Sequence, residues 1–284
     1  MKKDSKVREY YDANTWKFVL TSAEGALHRE LWGPGTADRA DALHYVHRRV
    51  LDEVIALCPS SRARVIDLGC GVGAGALYLA RHLAIDVHGI SLSPAQIAHA
   101  GRRARRPPPL RGAAAFHEAD FCALPPDVLA AVAGSDLAYA IESFAHAPSA
   151  AAFFGQVAAV LRPGGRLVLV DDMVAGGADP AAASGLLDDV RSGWHLHSLL
   201  AADEVIALAA AAGLSLVRRT SLSPYMRLGR PRDRLIRALQ PLLRRGRRWS
   251  YWCQSLVGGD ALQRCHQRGL VEYVELVLER VPAR

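Results

Sequence analysis

The stretch "DLGCGVGAG" sets an acid, Asp67, directly before four alternating glycines, Gly69 to Gly75, and a helix-forming run follows. Alternating glycines let a backbone bend through positive φ and pass against a ligand with no Cβ in the way. The helix behind them turns its free N–H groups toward that ligand. A second candidate pair is Glu142 and His146 in "AIESFAHAP". A carboxylate can stabilise a developing cation or remove a proton, and an imidazole can act as a base near neutral pH. The third group is the nine arginines between Arg227 and Arg248. Guanidinium forks grip phosphate oxygens in pairs, although a charge run is also how a plain solvated face is built.

The elements that must position these groups alternate. "ARVIDLGCG" is a short β-branched run, and "AGALYLARHL" has helical propensity with apolar Leu77, Leu79, Ala80 and Leu83. Residues 85–100 read as a second strand, turn and helix, 114–125 as a third strand with its loop, and 135–148 as a fourth strand. Residues 157–173 read as a helix, a Leu-Arg-Pro-Gly-Gly turn and a fifth strand, and 199–223 as the next helix and strand. Ahead of them, Val7, Tyr10, Tyr11, Asn14 and Phe18 recur at helical spacing, as do Leu43, Val46, Val50, Val54 and Leu57. Residues 225–269 carry an amphipathic stripe, Leu235, Ile236, Leu239, Leu242 and Leu243, interrupted by Pro241, before a last apolar strand "LVEYVELVLERV".

The 284 residues are 50% hydrophobic and 22% charged, enough for a full core. Apolar stretches such as 161–170 and 199–208 are broken well before the roughly 20 residues of a membrane span. No apolar h-region follows the basic N-terminus, so a cytoplasmic protein without a signal peptide is expected. Five cysteines without a CxxC pair argue against a disulfide framework and a zinc site. The net charge of +7 is concentrated in the arginine-rich stretch.

Glycines alone also suit a dinucleotide-binding GxGxxG turn or a purely structural bend. With Asp67 in front, "DLGCGVGAGALYLA" resembles the first motif of class I S-adenosylmethionine-dependent methyltransferases, and the later landmarks follow in the family's order over about 160 residues. The resemblance implies an α/β, Rossmann-like, doubly wound seven-stranded sheet whose last strand is antiparallel. It divides the chain into an N-terminal helical lid (1–58), a cofactor-binding core (59–224), an Arg-rich helical insertion (225–269) and the final strand (270–284). It also implies that Gly69, Cys70, Gly71 and Gly73 line the methionine moiety, with Asp67 near its amino group. Where an acid normally holds the ribose stands Ser91, beside Leu92 and followed by Gln96. That departure resembles tocopherol and sterol methyltransferases, cyclopropane synthases and bacterial prenyl-diphosphate methyltransferases. Asp120 and Phe121 match the pair that reads adenine.

In this fold the end of the fourth strand faces the transferable methyl. Glu142 and His146 there match an acid and histidine of the sterol and tocopherol enzymes, and Glu142 also borders the cofactor. An alkene attacking the methyl leaves a carbocation that Glu142 would stabilise or deprotonate, so the sequence favours C-methylation of an isoprenoid. O-methylation of a hydroxylated natural product, with His146 or His28 as base, stays open. Tyr11, Trp16, His28 and Trp32 are expected around the acceptor, and Arg244, Arg245 and Arg248 at an anionic end of it. A small, hydrophobic acceptor, with an anionic end if the arginines bind it, is expected, with Mg2+ only if it is a diphosphate. A nucleic-acid partner rests on the arginines alone and is not expected, and a homo-oligomer is left open.

Overall fold

The computed structural model describes residues 28–59, 62–177, 180–246 and 250–282. The expected lid helices over 1–27, with Tyr11 and Trp16, lie outside the described residues, as does Arg248.

Two N-terminal helices, α1 (Arg39–Leu43) and α2 (Tyr45–Leu57), lead into β1 (Arg64–Leu68), α3 (Ala74–His82), β2 (Asp86–Ser91), α4 (Pro94–Ala104) and β3 (Ala113–Glu118). Then come α5 (Pro126–Val132), β4 (Ser135–Ile141), α6 (Ala150–Val160), β5 (Leu161–Val174), α7 (Pro180–Trp194), α8 (Ala202–Ala211) and β6 (Leu214–Ser221). Helices α9 (Pro231–Ala238), α10 (Gln240–Gly246) and α11 (Tyr251–Gln267) precede β7 (Val271–Arg280). The strands form one sheet in the order 3-2-1-4-5-7-6. β1 to β5 pair in parallel, and β7 runs between β5 and β6, antiparallel as the resemblance implies.

The central parallel strands β1 and β4 and the C-terminal part of β5 are buried on both faces, so they read as nearly continuous apolar runs, whereas the edge strand β3 is not. One core lies on the α5, α6 and α8 side around Phe144, Phe153, Phe154 and Leu169, and the other lies under α2 and α3 around Val46, Val50, Leu79 and Tyr139. Helix α2 is also tied to the sheet by ions: Arg49 forks onto Glu275 at 2.5 and 2.6 Å, and Glu53 receives Arg166 at 2.9 Å and Arg218 at 2.5 Å. The sequence places a Leu-Arg-Pro-Gly-Gly turn after α6. In the fold β5 instead begins at Leu161, and the Pro-Gly-Gly segment becomes an irregularity in register, with Leu161 opposite Ser135 and Arg166 opposite Leu137. Five residues of β5 thus span two of β4, which the positive φ of Gly164 (73°) accommodates.

Helix α11 packs on α7 through Val190, Leu187, Ala261 and Cys265, a third small core beside the sheet's C-terminal edge. Among the described residues no helix is long and apolar enough to cross a membrane, and no cluster of His, Cys, Asp and Glu could hold a metal ion.

Candidate active site

A cavity of about 540 Å³ opens at the C-terminal ends of β1, β2, β4 and β5, where α/β sheets present their ligand sites. One wall is the glycine loop. Gly69 sits at φ 96°, where a Cβ would lie 2.4 Å from the Ser143 Cβ, so only glycine lets the loops after β1 and β4 meet. The Ser143 hydroxyl locks that meeting by donating to the Leu68 carbonyl at 2.5 Å. Asp67 is buried beneath the loop and accepts from the Tyr139 hydroxyl at 2.7 Å. Burial pushes its carboxyl up to about 7, against the opposing hydrogen bonds from Tyr139 and the Ala76 backbone.

The next wall is formed by the loops after β2 and β3. The Ser91 hydroxyl donates to Gln96 Oε1 at 2.8 Å, and Ser93 caps α4 by accepting from the Gln96 N–H. Leu92 and Phe121 supply apolar lining, and Asp120 holds its own loop by accepting from the Cys122 N–H at 2.8 Å. Asp67, Gly69, Cys70, Gly71, Ser91, Leu92, Gln96, Asp120, Phe121, Glu142 and His146 therefore all line one cavity.

Gly73 does not. A Cβ there would lie 2.9 Å from Ala100 and 3.0 Å from Phe116, so this glycine serves the packing of α3 against α4 and β3. The expected arginine contacts are also displaced. Arg244 is taken up in an ion pair with Asp189 at 2.5 Å, and neither it nor Arg245 lines the cavity. Arg39, Arg227, Arg230 and Arg232 do so instead, the last three from the segment entering α9. Trp32 is outside the lining because the Arg227 guanidinium lies over its ring, 3.3 Å from the centroid.

The wall facing the glycine loop is a charged network. Glu142 follows β4 at φ 50°, a left-handed backbone that a glutamate adopts only when held. Its N–H donates to the Val170 carbonyl at 2.8 Å, and its Oε1 accepts from the Arg29 N–H at 3.0 Å and the Tyr273 hydroxyl at 2.9 Å. The Arg29 guanidinium lies 3.7 Å from the same oxygen and donates to both oxygens of Asp172, to Oδ1 at 2.6 Å. His266 adds a contact to Asp172 Oδ1 at 2.8 Å. Burial would raise the Asp172 carboxyl, but Arg29 and His266 outweigh it and hold it well below the usual carboxylate range. Its neighbour Asp171 faces the other way, accepting from the Ala145 N–H at 3.0 Å, and burial beside Asp172 pushes its carboxyl up to about 7.

Histidines complete the wall. His28 lines the cavity with both ring nitrogens engaged: Nδ1 donates to the Arg29 carbonyl at 3.1 Å, and Nε2 meets Nε2 of buried His47 at 3.1 Å. With His28 Nδ1 protonated and neutral, His47 must donate from Nε2, and its Nδ1 then accepts from His44 Nδ1 at 2.9 Å. Burial lowers His28 and His47 below the ordinary histidine value, which favours their neutral forms. His146 stands on the short turn Phe144–His146 after β4, hydrogen-bonded to the His195 backbone, and burial brings it down to about 4. Arg29, His47, Asp171, Asp172, His266 and Tyr273 carry no motif in the sequence; the doubled acid of "LVLVDDM" was the one available signal.

Residues 65–165 match a family described as a methyltransferase domain. Over 204 residues the chain is 32% identical to 27-O-demethylrifamycin SV methyltransferase of Amycolatopsis mediterranei, covering 71% of this chain and 71% of that one. It is 35% identical over 227 residues to methyltransferase GfsG of Streptomyces halstedii, covering 78% of this chain and 77% of that protein. The chain is a class I S-adenosylmethionine-dependent methyltransferase. The methyltransferase acts on small molecules. Its fold matches that of geranyl diphosphate methyltransferase in complex with GPP and sinefungin, with a TM-score of 0.72 over 99% of both chains at 19% identity.

Proposed function

We propose that this methyltransferase transfers the methyl group to a hydroxyl oxygen of a hydroxylated natural product. The observation that carries this reading is the state of Glu142. Its carboxylate already accepts two hydrogen bonds and lies beside the Arg29 guanidinium, so its charge is compensated before any carbocation could use it. A neutral imidazole, His146, lines the same cavity on the turn after β4.

The cavity's donor set fits S-adenosylmethionine. Asp67 is a buried carboxyl without a cation, and an ammonium would relieve it; Ser91 and Gln96 offer neutral partners for ribose hydroxyls; Asp120 and the Phe121 N–H suit an adenine edge. When bound, the cofactor supplies an electrophilic methyl on a sulfonium. The chain's part is to hold the acceptor oxygen in line with that methyl, exclude water and take up the hydroxyl proton. His146 is the proposed acceptor of that proton. An oxygen gaining a methyl becomes far more acidic than imidazolium, so even a weakly basic ring suffices as the bond forms.

C-methylation of an isoprenoid is kept as a second reading, because Glu142 remains the only carboxylate on the β4 turn and geranyl diphosphate methyltransferase shares the fold. Incubation with methyl-labelled S-adenosylmethionine and three probes separates the readings: 27-O-demethylrifamycin SV, a simple phenol and geranyl diphosphate. Label in an O-methyl ether supports O-methylation. Label on carbon from geranyl diphosphate alone reverses the preference.

Asp67 gives a test that needs no acceptor. With its carboxyl near 7, the protein without cofactor is about half protonated there at neutral pH, and an ammonium requires the charged form. Binding of S-adenosylhomocysteine should therefore release protons, and affinity should fall as pH drops below 7, approaching about tenfold per unit. Calorimetry in buffers of different ionisation enthalpy measures the proton count. Pure pH independence between 5.5 and 7.5, expected of a carboxyl titrating near 4, would mean that Asp67 is already ionised before the cofactor binds, and undiminished affinity in Asp67→Asn would remove it from the ammonium site.

A further inference from the structure

The insertion leaves an apolar stripe uncovered. Leu235, Leu239 and Leu242 are 62%, 44% and 65% exposed. They lie at i, i+4 and i+7 across the junction of α9 and α10. Helical hydrogen bonds continue through that junction, from Leu239 N–H to the Leu235 carbonyl at 3.1 Å and from Leu243 N–H to the Leu239 carbonyl at 3.0 Å. The leucines therefore share one face.

The charge around them is divided. Arg237 and Arg244 are exposed but neutralised, and they fix the two helices to the body through Asp260 at 3.0 Å and Asp189 at 2.5 Å. Arg234 and Arg245 stay exposed, with no carboxylate partner among the described residues. Exposed leucines bracketed by unneutralised arginines are the two halves of an interfacial membrane helix. The apolar side enters the acyl boundary, and the guanidinium groups stay at the headgroup phosphates. A nucleic acid would use the arginines but has no place for three leucines.

We infer that the α9–α10 face docks on the surface of an anionic lipid bilayer. The position gives the contact a use, whichever atom is methylated. The segment from Met226 to Asp233 lines the cavity and runs straight into α9, so the docked face adjoins the cavity mouth. A lipophilic acceptor dissolved in the bilayer would then enter without crossing water.

The test is co-sedimentation of the full chain with vesicles of equimolar phosphatidylglycerol and phosphatidylcholine, and with vesicles of phosphatidylcholine alone. Strong binding to the anionic vesicles is expected, weakened by salt and by Arg234→Gln with Arg245→Gln. Combined Leu235→Ser, Leu239→Ser and Leu242→Ser should lower partitioning by about tenfold or more, while S-adenosylhomocysteine affinity, read by calorimetry, stays unchanged. Failure to bind anionic vesicles overturns the inference, and so does binding that the leucine variant retains in full. A wild type that is dimeric by light scattering, with a monomeric leucine variant, would assign the stripe to a second copy. Binding to transfer RNA that excludes the vesicles would assign the arginines to nucleic acid.

Discussion

Arg29→Met should lower the unfolding free energy by about 3 kcal/mol, the lower end of the cost of breaking a buried ion pair. The lower end applies because the Arg29 side chain keeps 23% of its surface in contact with water, while Asp172 keeps only 6%. Methionine preserves most of the apolar stem, so the loss isolates the charge: Asp172 would be left buried with the His266 ring contact but without its guanidinium, and Glu142 would lose the guanidinium beside it. Urea unfolding measures the effect. Adding Asp172→Asn removes the stranded charge, and the double variant should regain at least about 1 kcal/mol over Arg29→Met. Strict additivity of the two losses would mean that Arg29 acts through packing, not through its charge.

His146→Ala should reduce kcat on a hydroxyl probe by about two to four orders of magnitude, the usual contribution of a positioned proton acceptor. S-adenosylhomocysteine affinity should stay near wild type, since the groups proposed for ribose and adenine lie on the loops after β2 and β3. Because burial holds His146 near 4, it is neutral throughout the physiological range. With cofactor saturating, kcat should therefore stay level as pH falls from 8 toward 5, where an ordinary histidine, titrating near 6.5, would already have lost activity. Glu142→Gln supplies the contrast. Glutamine keeps an oxygen for the Arg29 N–H and the Tyr273 hydroxyl, so O-methylation should fall by no more than about tenfold, whereas a cation-stabilising carboxylate would cost two to four orders. A His146→Ala enzyme within a few-fold of wild type would send the assignment back to Glu142.

The half of the cavity proposed for the cofactor was legible because its signals are local. Asp67, the glycines, Ser91, Gln96, Asp120 and Phe121 each sit within a few residues of a strand end, and strand order alone brings those ends together. The opposite wall was not legible. Arg29 reaches Asp172 across 143 positions, and the Tyr273 hydroxyl reaches Glu142 across 131. "LVLVDDM" reads as the end of an apolar strand, yet successive strand residues point to opposite faces. Asp171 therefore serves the Ala145 N–H while Asp172 serves Arg29. The arginine run misled in its own way. Composition led to an expectation of cations at the acceptor, but which of them are neutralised in ion pairs is decided by where Asp189 and Asp260 lie on α7 and α11. That is tertiary information.

The placement of β7 between β5 and β6 bears on how the chain is made. During synthesis the first six strands leave the ribosome before it, and β5 and β6 cannot be joined until β7 is threaded between them. Arg49 waits 226 positions for Glu275, and Glu142 waits for Tyr273 on the same strand. A nascent chain can therefore shape the glycine-loop side of the cavity early, but the facing wall stays open and two strand edges stay unpaired until β7 emerges. Contacts of such long sequence separation form slowly, and unpaired edges are sites of aggregation. Catalytic competence and escape from aggregation thus arrive in the same late step, the insertion of one ten-residue strand.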